Sequence, residues 1–600
     1  MFIILLSIFV FAKYPVMTKY LSFILFAAIC LLSACKGDIN LEDNTINIRL
    51  KKDPERINPL IFPNPTAREV YQYIHLNLAD FHPETLELTP LLIKSIPTEM
   101  SIDTGIYKGG IYFDVEILND AKWDNGSSIT AEDYLFTIKA INLPLTNAGK
   151  YREITQNITD VLTDPSDPKK FRVIFAKDYM LALETTVNIE IYPRYFYDSL
   201  NVLAKYRFTE INEKNEEKLK GDSELVRFAD YFNSNDLSRN KMSGAGPYRF
   251  VSWTADQNIV LEKKNDYWAK DKKTPSLQQG PSRIVFHIIP DELTAITQLK
   301  AGSIDIINEI TAESYAELSN DETQKNKYNF YHPSLMKHYY INVNNQDPKL
   351  SDINVRRALA HLIDVDNVIK NLENGMAMRS VGPIHPIKKT FNKTLVPIKY
   401  DPENAIKLLN EAGWKDTDNN GIIDKVIGGK KVEMELEILV SNQQLGKKIA
   451  IMLQESASKV GIKIQITEKD FKLIRSENLK TRKYQLVPAV LSQDIIAWDD
   501  LSKWHSENDT PDGSNDMSYR SVATDALIDK IITIKSDTDR ISLYQQIQEQ
   551  IYNDQPAIFL YSPEEKIIIS KKWSSSSTVK RPGYMANTFT LAGSPVLSNK

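Results

Sequence analysis

Cysteine is nearly absent from this chain of 600 residues: there are two, Cys30 and Cys35, both near the N-terminus. The rest of the chain therefore cannot hold a disulfide framework, a CxxC redox pair or a thiolate metal site. A basic excess is also missing. The formal net charge is −5, whereas a nucleic-acid binder carries a basic excess or stripe, so no nucleic acid is expected as a partner. There is no GxSxG elbow and hence no signal of a hydrolase nucleophile. There is no HExxH, and the eight histidines are scattered, which argues against a catalytic zinc. No Walker A loop occurs, so the chain is not its own ATPase. The expectation is a protein with no cofactor, no metal site and no catalytic residues.

What is present is ordinary globular composition, 42% hydrophobic and 25% charged. The length suggests more than one domain and permits a large core.

Residues 1–34 hold no acid and only two basic residues, Lys13 and Lys19. Tyr20–Ala34 (YLSFILFAAICLLSA) is an apolar run after Lys19 that ends in small residues, the arrangement of a signal peptide. Its end, Leu32-Ser33-Ala34-Cys35, resembles the bacterial lipobox. The resemblance implies that the Cys35 thiol is acylated and becomes the new N-terminus. Acyl chains contribute about 0.8 kcal/mol per buried CH₂, so several hold firmly. Two other readings stay open, an uncleaved transmembrane helix and an ordinary cleaved signal. Met17-Thr18-Lys19 makes a normal start by itself, so translation is expected to begin at Met17.

From residue 46 strands and helices alternate, which predicts an α/β fold. Ile46, Ile48 and Leu50 alternate with other residues as in a half-buried strand. Thr130 and Asp133 form a capping box ahead of Leu135 and Ile138. Asp401-Pro402 opens a helix carrying Ala405, Leu408, Leu409 and Ala412 on one face and stopped by Gly413. Val355, Ala358, Leu359 and Leu362 repeat that spacing. Ile449, Leu453, Ala457 and Val460 predict another helix, followed by a strand at Ile462, Ile464 and Ile466. Leu543, Ile547 and Ile551 mark a late helix. Residues 209–240 are polar and read as a surface insertion or loop-rich helix. Gly244-Ala245-Gly246 reads as a turn into a strand. Asp416–Asp424 (DTDNNGIID) resembles the first part of a calcium loop. Position 12 is Ile427, so the bidentate acid is missing and a polar helix-to-strand turn is the favoured reading.

Several blocks together resemble the family 5 extracellular solute-binding proteins, the oligopeptide- and dipeptide-binding proteins of ABC importers. They are Asp53–Pro59 (DPERINP), Lys122–Asp133 (KWDNGSSITAED), Gly244–Tyr248 (GAGPY) with Trp253 and Asn265–Trp268 (NDYW), and Leu299–Asp305 (LKAGSID). Asn354–Leu359 (NVRRAL) with Ile363-Asp364, Tyr400–Ala405 (YDPENA) through Ala412-Gly413-Trp414, and Val460–Lys463 (VGIK) follow in family order. The resemblance implies an α/β periplasmic-binding-protein-like fold: two lobes, a hinge and a ligand cleft, with an extra subdomain in the first lobe. The division it suggests is a lipidated N-terminus and linker at 35–45 and lobe I at 46–307. Within lobe I a subdomain is inserted at about 76–240. Lobe II takes 308–535, and 536–600 returns to lobe I. It also implies a monomer on the periplasmic or extracellular side of the cell membrane, held by a lipid anchor and docking to an ABC permease complex.

In peptide-binding members a carboxylate in the inserted lobe holds the ligand amine, because a desolvated ammonium is costly unless paired. Tyr484–Trp498 (YQLVPAVLSQDIIAW) is the corresponding stretch, with Asp494 at the matching position. It departs from the pattern. Leu491 stands where a tryptophan is usual, Ile495 where a tyrosine is, and Pro488 where some members have an arginine. Asp494, Trp498 and Leu491 are the candidate ligand residues, with Asp499 and Asp500 as neighbouring alternatives. Trp498 reads as a stacking platform or a core tryptophan. A peptide is the expected ligand. Another small solute (a metal chelate, a sugar or an opine) or a peptide signal stays open, as do an extracytoplasmic hydrolase and a lipoprotein for adhesion or chaperoning.

Overall fold

The strand expected at 46–50 is Thr45–Leu50, and its position in the sheet explains its composition. The structure is a computed structural model that describes residues 44–593 except 62, 63, 177, 178, 494, 497 and 535. Cys30, Cys35, the rest of the N-terminal segment and Asp494 lie outside the described residues. Thr45–Leu50 lies in the middle of a seven-stranded sheet. The strand order is Tyr328–Tyr331, Ile567–Ser570, Ile306–Ile307, Thr45–Leu50, Arg283–Ile288, Asn258–Lys263 and Tyr248–Thr254. Ile48 pairs in parallel with Ile306, which pairs antiparallel with Ile569. A central strand buries both faces. Arg49 is therefore fully buried, and its guanidinium donates to the carbonyls of Ile289, Asn308 and Pro290 at 2.9, 3.0 and 3.2 Å.

A second, six-stranded sheet runs Ala377–Arg379, Ala557–Pro563, Lys337–Val343, Leu486–Ser492, Glu435–Val440 and Lys463–Glu468. A third is antiparallel and four-stranded: Glu99–Ser101, Ile111–Glu116, Lys170–Phe175 and Ile158–Thr163. Each sheet has its own apolar core. The chain leaves the seven-stranded sheet after Tyr331, enters the six-stranded one at Lys337, and returns between Pro563 and Ile567. The two passages touch: Ser334 bridges Glu564, and Glu565 N–H donates to Pro333 O at 2.8 Å. Both passages lie downstream of the boundaries read from sequence at 308 and 535. The sequence pattern marks each element but not the sheet it joins.

The helices follow their caps. Ala131–Asn142 starts with Thr130 N–H donating to Asp133 Oδ2 at 2.9 Å, and Ile138 is fully buried. Pro402–Glu411 is capped by Asp401, which accepts from Asn404 N–H at 2.9 Å. It ends at Gly413, whose φ of +84° only glycine adopts without cost. Ile353–His361, Gln444–Ser458 and Asp537–Asp554 are the other helices foreseen from spacing. Residues 209–240 are more structured than their polarity suggests. They form short helices whose Leu225, Phe228 and Phe232 enter the core of the four-stranded sheet. Gly244 and Gly246 do lead into a strand, Tyr248–Thr254. A Cβ on either would sit 2.2 or 2.5 Å from the carbonyl oxygens of Ile74 and Tyr73, so the backbones meet there. Among the described residues no helix is long and apolar enough to cross a membrane.

Candidate functional site

Two walls built on different cores enclose a cavity of about 650 Å³. One wall belongs to the core of the four-stranded sheet. It includes Phe113, Tyr179, Leu183 and Glu184, the last two on the short helix Ala182–Val187. The other belongs to the six-stranded sheet and its helices. It includes Lys388, Lys389, Ile495, Ile496, Trp498 and Arg540. The size is that of a small-ligand site. The walls also touch directly. Met180 and Leu181 pack against the cluster around Trp498, and Met180 Sδ lies 3.9 Å from the Tyr544 hydroxyl.

Trp498 is 6% exposed and belongs to a buried apolar cluster. Its ring stacks on Tyr544 with centroids 6.0 Å apart and planes at 22°, and it lines the cavity. The Arg540 guanidinium lies 4.7 Å and the Lys389 ammonium 5.1 Å from the ring centre, both within cation–π range. Leu491 sits on the strand Leu486–Ser492, pairs with His338 and packs on the same apolar cluster, but it does not line the cavity. Asp494 lies outside the described residues, although its neighbours Ile495 and Ile496 face the cavity.

Of the alternatives, Asp499 is engaged. Its carboxylate takes the Lys388 ammonium at 2.5 Å and the Gln493 amide at 2.9 Å, and both members of the ion pair are under 10% exposed. Lys388 thus supplies from within the chain the kind of cation that a ligand amine would bring. Asp500 is exposed and caps a turn through Ser502.

A serine–histidine pair exists but is sealed. His338 Nε2 donates to Gln493 Oε1 at 2.7 Å, leaving Nδ1 to accept from the Ser562 hydroxyl at 2.8 Å, with Ser380 Oγ 2.9 Å away and donating to Gly382 O. Burial pushes the His338 pKa down to about 4, and none of the three lines the cavity. The arrangement orders a core rather than presenting a nucleophile.

In the loop Asp416–Asp424, carboxylate oxygens of Asp416, Asp418 and Asp424 lie within 4.8 Å of one another. The Lys431 ammonium reaches Asp418 at 2.6 Å and Asp424 at 3.2 Å, and Thr417 N–H donates to Asp424 at 3.0 Å. The chain's own cation and amide serve these acids.

A sequence profile described as bacterial extracellular solute-binding proteins, family 5 Middle, matches residues 89–511. The chain belongs to this family. The match takes in most of the cavity's walls, from Pro97 to Trp498. Among relatives, the chain is 26% identical over 463 residues to the oligopeptide-binding protein AppA of Bacillus subtilis, covering 76% of each chain. The structure of that protein in complex with a nonapeptide resembles this fold with a TM-score of 0.64 at 22% identity, over 91% of this chain and 99% of the other. NikA from Brucella suis, in complex with Fe(III)-EDTA, gives 0.69 at 17% identity, over 91% and 99%. Likeness at such identities carries the two-lobed fold.

The family's blocks, placed in the structure, are mostly architectural. Trp123 is buried, and Gly126 turns the chain at φ +82° ahead of the capped helix. Arg356 of the NVRRAL block is 4% exposed and donates to four carbonyls, those of Leu350, Ser351, Asp554 and Gln555. It thereby closes the C-terminal end of helix Asp537–Asp554, where the last carbonyls lack helical partners.

Proposed function

We propose that this chain is the solute-receiving component of an ABC importer, that its cleft takes peptides, and that it works outside the cytoplasm as a monomer delivering to a membrane permease. The observation that carries the reading is the cavity of about 650 Å³ between a wall on the core of the four-stranded sheet and a wall on the six-stranded sheet, the latter joined to the seven-stranded sheet by two adjacent passages. A ligand touching both walls favours the closed population by its differential affinity. The peptide relative in Bacillus subtilis supports the choice of ligand. Within this reading Trp498 packs against the bound solute, Asp494 receives its amine, and Leu491 supports the wall from behind. Cys35 carries the lipid that keeps the protein beside its permease.

Native mass spectrometry of residues 36–600 tests the ligand class. Co-purifying short peptides are the expected result; a metal chelate or a sugar overturns the peptide reading. The anchor is tested by Cys35→Ser, which should move the protein to the soluble fraction. Retention in the membrane would make residues 1–34 a transmembrane helix instead.

A further inference from the structure

The cleft holds a carboxylate that the sequence did not single out. Glu184 stands on the helix Ala182–Val187, whose Ala182, Thr185, Thr186 and Val187 are buried and fix it to the first wall. Its carboxylate lines the cavity. Among the described residues no cation lies within 4.0 Å of it. Withdrawing a carboxylate from water without a partner is costly, and a cation placed beside it offsets that cost.

The charges around it say what is missing. Lys388 is taken by Asp499, and Glu99 has an interaction of its own. That leaves Glu87, Glu184 and Asp537 on the lining against Lys389 and Arg540. Both of those cations lean on the Trp498 ring, and Arg540 also donates to Ile534 O. Among the described residues the unspent charge of the cleft is negative.

We propose that Glu184 receives a cationic nitrogen of the ligand, the α-ammonium of a peptide or a basic side chain, on the wall facing Trp498. The inference rests on the peptide reading given above and adds a specificity residue on the first wall of the cavity. It has a pH consequence. Burial raises the proton affinity of Glu184, and Asp537 raises it further; Arg540 and Lys389 oppose this, and the phenols of Tyr179 and Tyr544 also face it. Affinity for the cationic ligand therefore falls on acidification while the pH is still above the ordinary glutamate range.

Calorimetric titration with four tetrapeptides tests it: three alanines plus one lysine, the same with norleucine for lysine, and the N-acetylated form of each. Glu184→Gln should weaken binding of the cation concerned by roughly 10- to 100-fold, the range of a charged hydrogen bond. The effect should vanish for the form lacking that cation. Loss of the effect on acetylation identifies the α-ammonium; loss with norleucine identifies the side chain. An equal effect on all four overturns the inference and leaves the peptide reading standing. If the wild-type protein binds none of the four, the peptide reading falls and the inference with it. The wild-type protein gives a second measurement that needs no variant. As the pH is lowered from neutrality toward the ordinary glutamate range, the cationic peptide should lose affinity relative to the form lacking that cation, and parallel curves would overturn the assignment.

Discussion

Replacing Lys388 by methionine removes the ammonium while keeping an apolar stem, and the structure sets how much that should cost. The pair with Asp499 spans 2.5 Å, with side chains 6% and 8% exposed. An exposed pair is worth about 0–1 kcal/mol. Breaking a buried one costs about 3–5 kcal/mol, because the surviving charge is left uncompensated. The Gln493 amide at 2.9 Å remains to Asp499 but carries no charge, so the upper part of that range is avoided and about 3–4 kcal/mol is expected. The unit concerned runs from Lys337 to Pro563. For a unit of that size each kcal/mol moves Tm by about 2–4 °C, so Lys388→Met should melt roughly 6–16 °C lower. The double variant Lys388→Met/Asp499→Leu should recover most of the loss, since no unpaired charge remains. Thermal denaturation followed by circular dichroism, with the full double-mutant cycle, measures both. A loss below about 1 kcal/mol in the single variant would show that water screens the pair, and the description of it as a buried ion pair would fail.

Two further outcomes follow from buried groups. Arg356→Met should destabilise the protein by about 2–4 kcal/mol, because four buried carbonyls lose a charged donor together; a urea midpoint within error of wild type would contradict the clamp. Stability should also decline on mild acidification. His338 is neutral in the folded state with its pKa near 4 and protonates near 6.5 when unfolded. The unfolded chain thus binds the extra proton between those values, and stability present above pH 6.5 is lost as pH falls toward 4. At pH 5 the His338 contribution is about 2 kcal/mol, and His338→Gln should flatten the curve; an unchanged slope would remove His338 as the cause.

Much of the secondary structure was legible because its determinants are local. Asp401, Pro402 and Gly413 mark both ends of one helix in the sequence alone. The order of the family blocks pointed to the fold. What was not legible is set by partners far along the chain. Nothing near Arg49 announces that three distant carbonyls converge on it. The spacing of Leu225, Phe228 and Phe232 offered an amphipathic signal in the polar stretch 209–240, and the overall polarity masked it. The cleft draws on residues from Phe81 to Arg540. Glu184 therefore had no motif to betray it, and Leu491 and Trp498, seven positions apart in one stretch, part company, one behind the wall and one on it.

The segment Ala557–Ser570 supplies an interior strand to each large sheet. Ala557–Pro563 lies between Ala377–Arg379 and Lys337–Val343, and Ile567–Ser570 lies between Tyr328–Tyr331 and Ile306–Ile307. Both pairings bridge long stretches of chain, and such contacts form slowly. During synthesis neither sheet can close until this late segment has left the ribosome. The same few residues finish both large sheets, so the architecture stays open until nearly the whole chain has been made.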